Sequence, residues 1–524
     1  MTTSAHLAID LGAESGRGIV GVLNATRLVT LEVARFSHAP RDDGGVLRWD
    51  RAAMMEGVRG CLNAAHAWCV RQGTTLASVG VDAWGVDFAL VTQGEVGHDP
   101  MCYRDPVHAA SMNAVRDAFA DGLYERTGLS LAPINTLVQL RGLLDRSRAL
   151  LDRAERLLLI PDLVHYELSG VAVNERTIAS TTQMLDPETA AWDGEVIGRC
   201  LSPSVLKLLT QPTSPGTVLG ELSADFLRDA GAVSCAGVRV VLPGSHDTAS
   251  AVAGVPARGE PGTWAFLSSG TWSILGVERS TPIRTAAAHK AGMNNELGID
   301  GTVRFLKNIV GLWLIQELRR DLHAGGSSLT YAELADAARA SPGCRTLVHA
   351  SWSPLAAPGR MVAKLRAFAR ASGQPVPVTP GELARCCLDS LALAYREAIA
   401  TIESLTGTRP VDLYIVGGGT RHDLLNDLTA GATRVRVVLG PTEASAVGNL
   451  LTQAAGLGVL PGSTPGHASL GAIRDAGRGN AEWATIEPRE ADQRLGTDGT
   501  MWSRESARYA GLEAVACERL EIES

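Results

Sequence analysis

One local pattern occurs twice in this chain, once at its start and once near its middle. A short apolar strand runs into a turn of small polar residues and then into a second apolar strand. The first copy is Leu7-Ala8-Ile9-Asp10-Leu11, the turn Gly12 to Gly18, and Ile19-Val20-Gly21-Val22-Leu23. The second is Trp264-Ala265-Phe266-Leu267, the turn Ser268-Ser269-Gly270-Thr271, and Trp272-Ser273-Ile274-Leu275-Gly276-Val277. Each copy predicts a β-hairpin, and the recurrence predicts two related halves. The length of 524 residues agrees, because a single hydrophobic core seldom serves a chain so long. The stretch from Leu242 to Pro261, rich in glycine, proline and alanine, is where the halves should meet, and the second should begin around Ala249.

Between these hairpins the pattern predicts a helix from about Arg51 to Gln72. A further strand-turn-strand unit is expected from Ser78 to Val91, and mostly helix from Val107 to Ser169, where Leu137, Leu140, Leu143 and Leu144 share one face. Later come a helix around Lys307 to Leu322, a long helix from about Pro380 to Thr406, and a strand, Val411 to Val416, ending in Gly417-Gly418-Gly419. The polar segment from about Ile473 onward reads as a surface tail or an appended helix.

Composition removes several classes of function. Lys+Arg 48 against Asp+Glu 56 gives 48 − 56 = −8, a mildly acidic balance that repels the phosphates of nucleic acid. The lysines are Lys207, Lys290, Lys307 and Lys364, and none follows a glycine, so the phosphate loop G-x-x-x-x-G-K-[ST] is absent. Nine cysteines without C-x-x-C spacing imply no disulfide framework and fit a reducing compartment. His6 and Asp10 interrupt the apolar part that a signal peptide would need, and no long apolar run follows. The expectation is a cytoplasmic protein with no membrane and no nucleic acid among its partners, either a monomer or a homodimer.

Two clusters could carry chemistry. In Asp10-Leu11-Gly12-Ala13-Glu14-Ser15-Gly16-Arg17 the glycines allow backbone N–H groups to approach an anion, Ser15 adds a hydroxyl and Arg17 a forked cation, a set that suits an oligophosphate. An ordinary hairpin turn with a surface arginine fits the same residues. In Leu242-Pro243-Gly244-Ser245-His246-Asp247-Thr248-Ala249-Ser250, Asp247 can serve as a general base, while Ser245 or Asp247 could equally be the N-cap of a small-residue helix. The triple glycine at 417 to 419 is by itself only a tight strand-to-helix turn.

Taken in order, the N-terminal hairpin, Ser245-His246-Asp247, Ser268-Ser269-Gly270-Thr271-Trp272 and Val416-Gly417-Gly418-Gly419 resemble the FGGY carbohydrate kinases. Finer matches extend the resemblance over roughly residues 7 to 460. They are Val81 to Phe88, Tyr103-Arg104-Asp105, Asn135-Thr136-Leu137, Leu306 to Trp313 and Gly440 to Ser445. The resemblance implies an α/β fold of two actin-like ATPase domains with a deep cleft between them. The N-terminal domain, 1–248, would bind sugar and phosphate, the C-terminal domain, 249–472, would bind nucleotide, and 473–524 would be appended.

It also implies phosphoryl transfer from ATP, with Mg2+, to the C1 hydroxyl of a small-molecule ketose. That ketose would be L-rhamnulose, with L-fuculose or D-xylulose as the alternative. An actin-like ATPase acting on a protein partner is the more distant reading. By the same resemblance Asp247 is the base, and Gly85, His246, Thr248 and Asn308 bind the sugar, Gly85 leaving room beside Trp84. Ala13, Glu14, Ser15, Gly16, Arg17 and Thr271 hold phosphates from opposite domains, Gln316 and Gly418 meet the nucleotide, and Asp10 holds the metal. Asn308 and Gln316 are expected on one helix, about two turns apart. Glu14 departs from the family, which carries a small hydroxyl residue there. Like-charge repulsion should turn it toward solvent or a neighbouring arginine, leaving its backbone N–H for phosphate.

Overall fold

The computed structural model describes residues 4–24, 27–119, 122–229, 231, 233–479 and 483–517. Two compact units divide the chain, and neither is contiguous. The first comprises Met1–Ala257, Arg279–Phe305 and Ala444–Ala481, the second Arg258–Glu278, Leu306–Glu443 and Glu482–Ser524. The expected halves, 1–248 and 249–472, are therefore interleaved.

The first unit is built on a six-stranded sheet in the order Val218–Glu221, Arg239–Val241, Thr75–Ala83, Ser4–Leu11, Ser15–Asn24, Arg27–Ser37. The N-terminal hairpin is as expected, with Asp10 opposite Arg17. Strand Ser4–Leu11 is buried on both faces. Leu7, Ile9 and Leu11 pack with Met54, Val58, Cys61 and Leu62 of helix Arg51–Gln72, while Ala8 packs with Ala446, Leu450 and Ala454 of helix Ala444–Gly456. Two-sided burial is why Leu7, Ala8 and Ile9 are apolar in succession rather than in alternation. Helix Arg51–Gln72 starts at Asp50, whose carboxylate accepts from the Ala53 N–H, and stops at Gly73, φ 65°.

Ser78 to Val91 is not a hairpin. Thr75–Ala83 lies between Ser4–Leu11 and Arg239–Val241 with both neighbours parallel, and Phe88–Thr92 pairs with Glu95–Val96 and Arg156–Leu159 in a separate sheet. Val107 to Ser169 is largely helical, broken by that strand Arg156–Leu159.

The strands of the second unit follow the order Val303–Val310, of which residues 306–310 belong to it, Trp272–Arg279, Trp264–Ser269, Asp412–Val416, Arg436–Leu439, Ala484–Ile486. The second hairpin is therefore present, at the centre of its own sheet. Helix Pro380–Thr406 begins at a capping box of Thr379 and Glu382 and ends at Gly407, φ 72°. The expected tail is instead divided between the units, its start lying in helix Leu470–Arg478 of the first, with Ile473 fully buried, and the rest, from Glu482 on, in the second. Ala484–Ile486 pairs with Arg436–Leu439, Trp502 is fully buried with its indole N–H on Asp492 (3.1 Å), and the Tyr509 hydroxyl accepts from the Ala350 N–H (2.9 Å). Residues 518–524 of that segment lie outside the described residues. Among the described residues no helix is long and apolar enough to cross a membrane.

Within the first unit, helix Asp247–Ala253 crosses helix Ala444–Gly456 with backbone nearly touching backbone. A Cβ on Gly448 would stand 1.7 Å from the Ser250 carbonyl oxygen. Gly60, on helix Arg51–Gln72, has nothing within 4 Å of its Cβ position. Gly448→Ala should lower unfolding stability by about 3 kcal/mol, whereas Gly60→Ala should raise it by about 0.5–1 kcal/mol; thermal unfolding of both variants beside the parent checks the pair.

The same helix carries a buried polar chain to the sheet. Ser78 Oγ donates to Gln453 Oε1 (2.6 Å), so His6 Nδ1, 2.8 Å from that hydroxyl, is the donor to it, and Gln453 Nε2 donates to the Leu7 carbonyl (2.9 Å). Burial, helped by the charge of Arg239, pushes His6 down to about 4 from an ordinary 6.5. Protons therefore reach this imidazole in the unfolded chain first. Its contribution is whole above pH 6.5 and is lost as pH falls toward 4, on the order of 3 kcal/mol. His6→Gln should make the fall in melting temperature between pH 6.5 and 4 shallower than in the parent.

Candidate active site

Strand register gathers the first cluster. Ser4–Leu11 and Thr75–Ala83 run parallel with Asp10 beside Asp82, and Ala83 bridges to His246, its N–H on the Ser245 carbonyl (2.9 Å). Asp10, Asp82 and the His246-Asp247 pair thus come to the same carboxyl-terminal edge of the sheet, where open α/β sheets bind ligands. The loop before Asp247 is pinned by the buried carboxylate of Glu175, which accepts from the N–H groups of Ser245 (3.1 Å), Thr177 and Ile178, and by Thr177 Oγ1, which accepts from the His246 N–H (3.2 Å).

His246 is the N-cap residue of helix Asp247–Ala253, and Asp247 stands in its first turn with its side chain one-third exposed. The contacts of the Asp247 carboxylate fall on Oδ1, from Thr248 N–H (2.5 Å), Thr248 Oγ1 (3.0 Å) and His246 Nε2 (3.4 Å), so Oδ2 is the atom that can turn to a hydroxyl. The other ring nitrogen, Nδ1, lies 3.2 Å from Glu296 Oε2 and 3.0 Å from Arg304 Nη2. Burial by itself would raise Glu296, but the charges of His246 and Arg304 outweigh it and hold this carboxyl below the usual range.

Asp82 is fully buried. Its Oδ2 accepts from Asn449 Nδ2 (2.6 Å), and burial together with the nearby Asp10 charge raises its affinity for a proton well above that of an ordinary aspartate, against the pull of the Asn449 hydrogen bond. Arg17 directs Nε (3.0 Å) and Nη2 (2.7 Å) at Asp10 Oδ2, so its guanidinium is engaged with the aspartate across the hairpin. Gly16 is buried, and a Cβ there would meet the Phe36 ring at 2.2 Å, so packing alone requires glycine at this position. Glu14 is 69% exposed with its carboxylate 3.8 Å from Arg104 Nη1, the outward orientation that repulsion predicts. Ala13 and Ser15, partly exposed, flank it in the same turn.

Gly85 does not leave the room expected of it. A Cβ there would lie 2.9 Å from Thr181 Oγ1, which accepts from the Val86 N–H (3.1 Å), so the threonine already fills that space. The side of this turn that carries Trp84 is organised by Asp87. Its carboxylate accepts from Trp49 Nε1 (2.6 Å), Trp84 Nε1 (3.0 Å), the Tyr103 N–H (3.2 Å) and Gln139 Nε2 (3.0 Å), and burial pushes it up to about 6. The two indoles, with ring centroids 4.4 Å apart, are locked by one acid.

The remaining residues expected at the site lie in the second unit. Asn308 and Gln316 do not share a helix. Asn308 is exposed on strand Val303–Val310, and Gln316 stands on helix Trp313–Ala324. The carbonyls of Gly270 and Thr271, at the second hairpin's turn, accept from Leu312 and Trp313 at the start of that helix, and Thr271 Oγ1 is 3.4 Å from the Gln316 amide. Gly417 adopts φ 85°, and a Cβ on Gly419 would be 1.9 Å from Ser269 Oγ, whereas Gly418 has open space where its Cβ would be. Past this turn a cavity of about 360 Å³ is lined by Ile315, Leu334, Arg339, Leu388, Arg421 and His422.

Residues 5–254 match the N-terminal domain of the FGGY family of carbohydrate kinases and residues 265–457 match its C-terminal domain. The chain belongs to this family and is a carbohydrate kinase, with ATP as co-substrate. Among its relatives are the rhamnulokinase of Enterococcus faecalis, 37% identical over 465 residues covering 87% of this chain and 90% of that one, and the rhamnulokinase of Bacillus subtilis, 35% identical over 455 residues covering 86% and 89%. The fold is shared with a gluconate kinase from Lactobacillus acidophilus (TM-score 0.78, 16% identity, 99% of each chain) and with Plasmodium falciparum glycerol kinase (TM-score 0.75, 13% identity, 99% of each). It is the two-domain actin-like ATPase fold, α/β in class.

Sequence reasoning missed Glu296, Arg304, Asp87 and Asn449. A charged residue inside an apolar strand, as Arg304 is between Val303 and Phe305, was the available signal, because a buried charge must be paired. Glu14→Ser trims a side chain already turned away, so the KM for ATP should change less than about threefold in steady-state kinetics; an improvement of tenfold or more would mean that Glu14 faces the phosphates.

Proposed function

We propose that this protein transfers the γ-phosphoryl group of ATP to the C1 hydroxyl of L-rhamnulose, giving L-rhamnulose 1-phosphate and ADP, in rhamnose catabolism. The observation that carries the chemistry is the Asp247 carboxylate, partly exposed in the first turn of a helix at the carboxyl edge of the sheet, with Oδ1 occupied and Oδ2 available. The choice of sugar rests on the likeness to the rhamnulokinases.

As the sugar oxygen bonds to the γ-phosphorus, its proton passes to Asp247 Oδ2. The bond from that phosphorus to the bridging oxygen breaks and ADP leaves with the electron pair. His246 and Thr248 flank the carboxylate and offer hydrogen bonds to neighbouring sugar hydroxyls, and Trp84, fixed by Asp87, forms an apolar wall. In the second unit Thr271 and Gln316 meet the phosphate end of the nucleotide. Gly418 admits it against backbone, and the cavity beyond takes the adenine. The hard carboxylate oxygens of Asp10 suit magnesium, which when bound would neutralise charge on the β- and γ-phosphates.

Release of ADP, measured by a coupled assay with L-rhamnulose, L-fuculose, D-xylulose, glycerol or no acceptor, tests the substrate. L-rhamnulose should give the highest kcat/KM; a faster reaction with another ketose replaces the sugar, and equal turnover without acceptor removes the kinase. Asp247→Asn should lower turnover by a factor on the order of 10² to 10⁴ while nucleotide affinity stays nearly intact.

A further inference from the structure

His246 is held from behind by two charges that the reaction itself does not need. Glu296, at 11% side-chain exposure, is on strand Asn294–Leu297, and Arg304, at 0%, is on strand Val303–Val310. Both address the same atom, Nδ1 of the imidazole, Glu296 Oε2 from 3.2 Å and Arg304 Nη2 from 3.0 Å, and they lie 3.2 Å from each other. The guanidinium is itself fixed, with Nε (3.3 Å) and Nη2 (3.0 Å) on the Leu297 carbonyl, and the Leu297 N–H is held by Ser180 Oγ (2.9 Å). The far nitrogen, Nε2, is thereby left 3.4 Å from Asp247 Oδ1.

Two charges buried this deeply stabilise a fold little better than apolar side chains of the same volume would. Orientation is what they add. Nδ1 accepts from Arg304 Nη2 (3.0 Å), and Glu296, 3.2 Å from that guanidinium, holds it in place; a ring so held does not turn about its Cβ–Cγ bond, so the position of the other nitrogen is set before any ligand arrives.

We propose that Glu296 and Arg304 are positioning residues for phosphoryl transfer, fixing the His246 ring so that Nε2 stands beside the Asp247 carboxylate and meets the acceptor sugar there. This rests on Asp247 as the base and deepens that reading. The two residues act on the sugar through His246 and leave the nucleotide untouched.

The test is a double-mutant cycle of Glu296→Gln and His246→Gln, measured with the ketose that the unsubstituted enzyme turns over fastest. In the parent, Glu296→Gln should lower kcat/KM for the sugar by a factor on the order of 10 to 100, with the KM for ATP changed less than about twofold. In the His246→Gln background the same substitution should cost less than about twofold, because the ring through which it acts is gone. An equal loss in both backgrounds, or a KM for ATP that rises with that for the sugar, overturns the proposal. Should Glu296→Gln fail to give folded protein, Glu296→Asp, which keeps the charge and withdraws it from Nδ1, is judged by the same cycle. A failure of L-rhamnulose as acceptor overturns the substrate and leaves the cycle to decide on Glu296.

Discussion

The parallel pairing of Ser4–Leu11 with Thr75–Ala83 is the constraint on which the active site depends. It sets Asp10 beside Asp82, and the next bridge, from Ala83 to His246, brings in Asp247, the proposed base. A shift of one residue in either strand would turn the side chains to the opposite face and scatter three carboxyl groups that now share one edge. Each group then takes its character from its surroundings. Arg17 holds Asp10, Asn449 holds the buried Asp82, and Asp247 takes its contacts from Thr248 and His246 on one oxygen.

The register is secured from far along the chain. Helix Ala444–Gly456 supplies Asn449 to Asp82, Gln453 to Ser78 and the Leu7 carbonyl, and the apolar cover for Ala8 and Ile19. It can come so close because Gly448 has no side chain where the backbone of helix Asp247–Ala253 passes. Small residues and buried amides thus do in one helix what the sheet cannot do alone, since a strand buried on two faces needs a partner on each.

Much of this was legible in the sequence, and the failures have a common cause. The two hairpins, the Arg51–Gln72 and Pro380–Thr406 helices and the glycine turn after Val416 announce themselves by local chemistry: caps, small polar turns, a change of period. Ser78 to Val91 looked like a third hairpin because both its strands are apolar, but their partners are remote in sequence. Leu306, Ile309, Val310 and Trp313 fall at helical spacing, yet Asn308 sits on a strand that begins at Val303, where the buried run Val303 to Leu306 shows no alternation to mark it. The C-terminal segment is mostly polar, and its anchoring depends on a few large residues, Trp502 and Tyr509 among them, that average composition hides. The grip of Glu296 and Arg304 on His246 depends on three distant positions meeting, which no local pattern encodes.

The discontinuity of the first unit bears on how the chain is made. A ribosome releases the N-terminal strands long before helix Ala444–Gly456 exists, so Ala8, Ile19 and Leu28 face water on one side of a nascent sheet until nearly the whole polypeptide has emerged. That interval leaves an apolar stripe open to other chains. Helix Ala444–Gly456 is synthesised after most of the chain, and a product terminated before it carries Asp10, Asp82 and Asp247 without the residue, Asn449, that holds Asp82 in place.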